Sequence, residues 1–318
     1  MGLIRTPFNA NTTADEVLAG TDLTGKRMVI TGGASGIGLE TARALARRGA
    51  EVTLAVRNPE RGKEAIADIT ASTGNKNVKA ARLDLLDKHS IAAFVSNWSE
   101  PLDVLINNAG VMGIPELRLT PEGYEEQFAA NYLGHFALAV GLHPALVQAG
   151  SARIVSVSSA DPSGRLGAPI VFEDIHFTRR TYEPLQAYIQ SKAANVLFAV
   201  GANSHWGQDG ISANSLMPGA IATNLQRHID RDTLKSWGAA DETGKRLSKP
   251  VGWKTPAQGA ATSVLLAASP LLEGIGGRYF VDCNESEIIN HDKGDIALDA
   301  RNAERLWEMY YPIVSKWF

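Results

Sequence analysis

Thr31-Gly32-Gly33-Ala34-Ser35-Gly36-Ile37-Gly38 follows a short apolar run, Met28-Val29-Ile30. Ile37, Thr41, Ala44, Leu45 and Arg48 then recur at helical spacing, and Gly49 is a plausible helix stop. The apolar run reads as a buried parallel strand. Glycines let the chain turn tightly and bring backbone N–H groups up to a phosphate. The helix start adds unsatisfied donors and partial positive charge. Glycine-rich turns also serve as plain connectors, so the turn needs support from elsewhere in the chain. Its spacing is Gly-x3-Gly-x-Gly, which differs from the more widespread dinucleotide fingerprint.

Working outward, apolar strand candidates alternate with helical segments. They cover 28–30, 52–56, 78–83, 104–106, 154–157, 211–216 and 279–281. This alternation predicts an α/β fold: a doubly wound parallel sheet with helices on both faces. Thr255, Pro256 and Gln258 form a capping box that starts a late helix. The 318 residues show no Pro/Gly/Ser-rich linker, repeat or low-complexity tract, so a single domain over 23–318 is expected behind an extension at 1–22. A short helix is expected near Asp15 in that extension.

A net charge of −3 gives no reason to expect a nucleic acid or an anionic membrane as partner. The single cysteine, Cys283, excludes an internal disulfide and a cysteine-based metal cluster, and no metal is expected. With no secretory segment and no long apolar run, a cytoplasmic protein without stable membrane association is expected. The first six residues fit the loose myristoylation pattern, which recurs by chance.

Far downstream, Tyr188-Ile189-Gln190-Ser191-Lys192 puts a phenol and an ammonium four residues apart, on one helix face. Hydride transfer at an alcohol carbon must be coupled to proton transfer at its oxygen. Tyrosine is a poor base at its ordinary pKa of about 10, and a nearby ammonium stabilises the phenolate. Tyrosine and lysine at this spacing also occur on solvated helix faces, so the pair counts only together with the glycine turn.

Four motifs in this order make the resemblance specific. Residues 31–38, Asn107-Asn108-Ala109-Gly110, Tyr188 to Lys192 and Pro218-Gly219 resemble the signatures of the short-chain dehydrogenase/reductase family, over about residues 23–283. The resemblance implies a single Rossmann domain with a seven-stranded parallel sheet in the order 3-2-1-4-5-6-7. It implies a nicotinamide cofactor held by Gly32, Ser35, Gly36, Ile37, Gly38, Asp84, Leu85, Asn107, Ala109 and Gly110, with Tyr188 and Lys192 also in contact. Pro218, Gly219, Ile221 and Thr223 match the segment that holds the nicotinamide carboxamide. Tyr188 is then general acid/base, and Lys192 lowers its pKa and binds the ribose. Ser159 orients the substrate oxygen, with Ser158 as the alternative. Asn131 bends its helix and supports a water on the way to the lysine. The family also implies a homodimer or homotetramer.

An acid after the second strand would bind a ribose 2′-hydroxyl. Arg57-Asn58 stand there instead, and Arg57 offers a forked cation for a 2′-phosphate. NADP is therefore expected over NAD. The gap of 29 residues from Ser159 to Tyr188 is long for the family and resembles the retinol dehydrogenase and WW-domain oxidoreductase branch. The extra segment at 161–185 and an amphipathic stretch at 223–254, with Leu225, Ile229, Leu234 and Trp237, flank the chemistry. The second reads as a substrate lid, and a bulky apolar carbonyl or alcohol is the expected substrate. His176 reads as a loop histidine. The rival readings are a non-catalytic NADP-binding regulatory protein on the same fold, and an extended-branch epimerase or dehydratase. The intact Ser159, Tyr188 and Lys192 argue against the first, and the 32–36 glycine gap argues against the second.

Overall fold

The computed structural model describes residues 2–159, 170–286 and 298–318. Among the described residues eight strands form one sheet: β1 Arg27–Thr31, β2 Glu51–Val56, β3 Val78–Arg82, β4 Val104–Asn107, β5 Ala152–Val157, β6 Ile211–Met217, β7 Tyr279–Val281 and β8 Asn284–Glu285. Their order is β3-β2-β1-β4-β5-β6-β7-β8, and only the β7–β8 pair is antiparallel. The main helices are α1 Ala14–Val17, α2 Gly36–Arg47, α3 Pro59–Thr73, α4 Lys88–Ser96, α5 Glu126–Phe128, α6 Gly134–Gln148, α7 Pro184–Trp206, α8 Arg231–Ser236, α9 Pro256–Gly259, α10 Ala261–Ala268 and α11 Ala300–Val314.

Alternation of side chains along each strand explains the two cores. Met28 and Ile30 pack with α2, α3 and α10 on one face, whereas Val29 packs on the other with α4, α6, α7 and α11. With both faces covered, β1 and β4 are apolar throughout most of their length. The doubly wound single domain stands as read from the sequence, with one correction: the sheet has eight strands, not seven. After β7, Asp282 and Cys283 take positive φ angles of 52° and 64° and turn the chain back on itself. Two residues then pair with Phe280 and Val281. The N-terminal extension holds this hairpin, since Glu285 N–H donates to the Ile4 carbonyl at 3.1 Å. Thr6 N–H donates to Asn284 Oδ1 at 2.8 Å. Further along the extension, Thr13 and Glu16 cap α1, and Ala14, Val17 and Leu18 join the core.

Between α5 and α6 the helix widens into a π turn at Ala129–Leu133. Asn131 sits in it, fully buried. The extra segment's described half, 170–183, packs outward against α7 and α11. Gln190 takes the Val171 N–H and gives to the Ile175 carbonyl, and Arg305 lies 4.2 Å over the Phe172 ring. Pro162, Gly164, Gly167 and Pro169 lie outside the described residues.

Candidate active site

The carboxyl ends of the parallel strands open into one cleft of about 1620 Å³. At its floor lies the turn between β1 and α2. Gly36 takes a φ of +54°, and a Cβ there would press on Thr223 at 3.3 Å. A Cβ on Gly38 would come within 2.4 Å of Asn108 Nδ2, so only glycine lets this turn seat against the β4 end. Ser35 is the N-cap of α2 but makes no side-chain cap bond, and the first turn holds no acid. The helix start therefore presents uncapped donors to the cleft, as a pyrophosphate requires. These features fit a dinucleotide.

Of the residues read from sequence, Gly32, Ser35, Gly36, Ile37, Gly38, Arg57, Asp84, Leu85, Ala109, Gly110, Ser159, Tyr188, Lys192, Pro218, Gly219, Ile221 and Thr223 line this cleft. Asn107 and Asn131 do not. Asn107 is fully buried on β4, and neither of its side-chain polar atoms has a hydrogen-bond partner among the described residues. Asn108 is the one that faces the cleft. Its N–H donates to Thr31 Oγ1 at 2.9 Å and its amide to the Thr31 carbonyl at 2.8 Å. Asn131 lies behind the cleft. Its Oδ1 takes the Val111 N–H at 2.8 Å, and its Nδ2 donates to the Val111 carbonyl at 2.9 Å and Ser191 Oγ at 2.8 Å.

Tyr188 and Lys192 come off one face of α7. The phenol is hydrogen-bonded to Ser159, and burial pushes its pKa up to about 12 against the opposing pull of that bond. Lys192 Nζ lies 5.9 Å from the Tyr188 ring centre and donates to the Val157 carbonyl at 2.8 Å. Burial lowers its pKa to about 8. No carboxylate among the described residues pairs with it. Ser158 Oγ donates to the Lys192 carbonyl at 2.6 Å, which commits that hydroxyl to α7.

At the far end of the cleft Arg57 projects from the β2 end, with Arg61 and Arg227 also in the lining. Burial first, and the Arg57 charge second, lower the pKa of Arg227. Arg227 lies in the short turn Asn224–His228, and nothing in its sequence neighbourhood pairs it with Arg57, 170 residues earlier. Around Tyr188 the wall is apolar: Met112, Leu185, Ile189, Trp237 and Trp253. The 223–254 segment supplies part of this wall. Ile229 and Leu234 pack with Met112 and Tyr188 in one small core, with Leu225 and Trp237 against it. His176 lies outside the cleft: its Nδ1 accepts the Glu125 N–H, and its Nε2 meets the Tyr310 hydroxyl at 3.0 Å.

A glycine turn before α2, a buried tyrosine–lysine pair on α7 and an Asn-Ala-Gly strand end come together at this cleft. The family model described as short chain dehydrogenase matches residues 26–234. The Streptomyces antibioticus protein called "Probable oxidoreductase" is 53% identical over 293 residues, covering 90% of this chain and 97% of its own. Human polyprenol dehydrogenase is 36% identical, covering 88% of this chain and 82% of its own. A crystal structure of a Mycobacterium paratuberculosis protein superposes with a TM-score of 0.71 at 30% identity, covering 96% of this chain and 98% of that one. The chain belongs to the short-chain dehydrogenase/reductase family of oxidoreductases. Among the described residues no helix is long and apolar enough to cross a membrane.

Proposed function

We propose that the protein interconverts a carbonyl and an alcohol on a bulky apolar substrate, using NADP(H), with Tyr188 as general acid/base. The observation that carries this reading is the convergence of Ser159, Tyr188 and Lys192 in the cleft that the glycine turn and Arg57 also line. Bound nicotinamide would supply or accept the hydride. The residues 32–38 would hold the pyrophosphate, Arg57 the 2′-phosphate, Asp84 and Leu85 the adenine end, and 218–223 the carboxamide. Tyr188 gives its proton to the substrate oxygen in reduction and takes it back in oxidation. Ser159 orients that oxygen. Lys192 keeps positive charge beside the phenol and would meet the ribose. Asn131 holds the loop after β4 and the Ser191 turn in register.

The apolar wall around Tyr188 supports a bulky substrate, and so does the similarity to a relative named for a polyprenol. A screen of apolar aldehydes, ketones and long-chain alcohols, read at the nicotinamide absorbance with NADPH, NADP, NADH and NAD, tests the reading. Binding of NADPH with no turnover of any of them would favour the regulatory alternative.

The basic β2 end makes a direct test. Arg57→Ala is expected to weaken NADPH about tenfold or more and leave NADH nearly unchanged, because a charged hydrogen bond to phosphate contributes roughly 1.5–3 kcal/mol. Fluorescence titration of both cofactors against both proteins measures it. Equal losses for the two would remove Arg57 from the phosphate.

The 223–254 segment is proposed as the substrate lid. Trp237 lines the cleft, whereas Leu234 is buried beneath it. Trp237→Ala should raise the KM for a bulky ketone about tenfold, the equivalent of roughly 1.4 kcal/mol of lost apolar contact, with NADPH affinity held. Leu234→Ala should act the same way by loosening the segment. Unaltered kinetics in both, with no hydrogen-exchange protection of the segment by a substrate analogue, would assign it to subunit assembly.

A further inference from the structure

His135 lies on α6, one turn past Asn131, and is 1% exposed. The chemistry proposed above does not use it. Both of its ring nitrogens are engaged: Nδ1 meets the Asn131 carbonyl at 2.8 Å, and Nε2 meets Thr31 Oγ1 at 2.8 Å. The proton positions follow by counting. Thr31 Oγ1 accepts the Asn108 N–H at 2.9 Å and the Ala109 N–H at 3.0 Å. A hydroxyl has two acceptor positions and one proton. The Asn131 carbonyl can only accept, so a neutral ring carries its proton on Nδ1 and leaves Nε2 bare; the Thr31 proton, which also has the Ile106 carbonyl at 3.4 Å, goes to the closer Nε2. The ring proton then sits on Nδ1 and is donated to the Asn131 carbonyl. Every hydrogen-bonding position of the ring and the hydroxyl is used. A neutral ring fits this arrangement, and burial lowers the His135 pKa to about 4.

The chain of bonds continues past Asn131. Its Nδ2 donates to Ser191 Oγ, and Ser191 Oγ donates to the Tyr188 carbonyl at 2.7 Å. One connected path thus runs from the Asn108–Ala109 turn, through Thr31, His135, Asn131 and Ser191, to the backbone of the proposed acid/base. The bonds from Asn108 through Thr31 and His135 to the Asn131 carbonyl point in one sense and polarise one another, as do the two from Asn131 Nδ2 through Ser191; saturated carbons separate the two runs, which are joined by the covalent frame of Asn131.

We propose that His135 is a positioning residue that locks two turns in one geometry: the Asn108–Ala109 turn at the cofactor and the π turn behind Tyr188. This role rests on the functional reading above for its kinetic consequence, but the link itself does not. The two ring nitrogens can be tested separately. A glutamine amide reaches the Nε2 position and keeps the Thr31 link. An asparagine amide reaches the Nδ1 position and keeps the Asn131 link.

His135→Gln is expected to hold NADPH affinity within about twofold and lower kcat about tenfold, a factor worth roughly 1.4 kcal/mol. His135→Asn is expected to do the reverse: NADPH weakens about tenfold and kcat at saturating cofactor is largely kept. His135→Leu should lose both. A purely structural residue would lower the melting temperature without this crossed pattern. Equal losses in both readouts for Gln and Asn, or a change in melting temperature alone, would overturn the proposal.

Amide hydrogen exchange needs neither cofactor nor substrate. Exchange at Asn108 and Ala109 should quicken in the Asn and Leu variants and not in Gln. Unchanged exchange in His135→Leu would also overturn it. If the wild type turns over no carbonyl, the functional reading falls while affinity and exchange still decide the link.

Discussion

Tyr188→Phe is expected to lower kcat for carbonyl reduction by about a thousandfold, within the range that a positioned acid or base contributes. NADPH should still bind within about twofold of wild type, because the ring and its packing remain. The phenol is buried, and its pKa is pushed up to about 12, with Ser159 alone pulling the other way. At neutral pH the group is therefore a loaded proton donor, suited to reduction without further adjustment. In the oxidation direction the same group must first give up its proton. The oxidation rate should accordingly climb with pH across the neutral and alkaline range, while the proton-donating step of reduction needs no such rise. Stopped-flow single turnover with deuterated NADPH would test the assignment at the chemical step. A variant that keeps near-wild-type turnover while showing a full hydride isotope effect would mean that another group moves the proton.

The parts of this site that were legible in the sequence are those built from local chain. The β1–α2 turn, the β4 end and the Tyr188–Lys192 pair each fit within a few residues, so spacing alone discloses them. Long-range dependence hid the rest. Strand β8 exists because Asp282 and Cys283 bend back and because Ile4 and Thr6 meet Glu285 and Asn284 from the other end of the chain. Two residues carry no periodicity to read. Asn107 and Asn108 show a finer failure. They are adjacent, so the strand end turns one into the sheet and the other to the cleft, and the motif does not say which. In the sequence His135 stands directly before the apolar run 136–142. Its i+4 spacing from Asn131 was the available signal, but its meaning depends on Thr31, 104 residues away. The length of the extra segment before Tyr188 was plain. That residues 170–183 spend it on α7 and α11 instead of the cleft was not.

Lys192→Met should lower kcat/KM for reduction about a hundredfold and also weaken NADPH about tenfold, since one ammonium serves both the phenol and the ribose in the proposed site. The pH dependence separates these roles from a loss of packing. Burial disfavours the charged form of Lys192 and lowers its pKa to about 8. The ammonium is thus present below that pH and lost above it. In the wild type, kcat/KM for NADPH, which reports ionisations of the free enzyme, should hold on the acid side and fall as pH rises through about 8. Lys192→Met should lack that alkaline limb. Arginine should not rescue the site. Nζ donates to the Val157 carbonyl at 2.8 Å as a compact point charge, a geometry that the planar fork of a guanidinium does not reproduce. An alkaline limb that persists unchanged in the methionine variant would assign the titration to another group. The positive charge beside Tyr188 would then have to come from elsewhere in the bound complex.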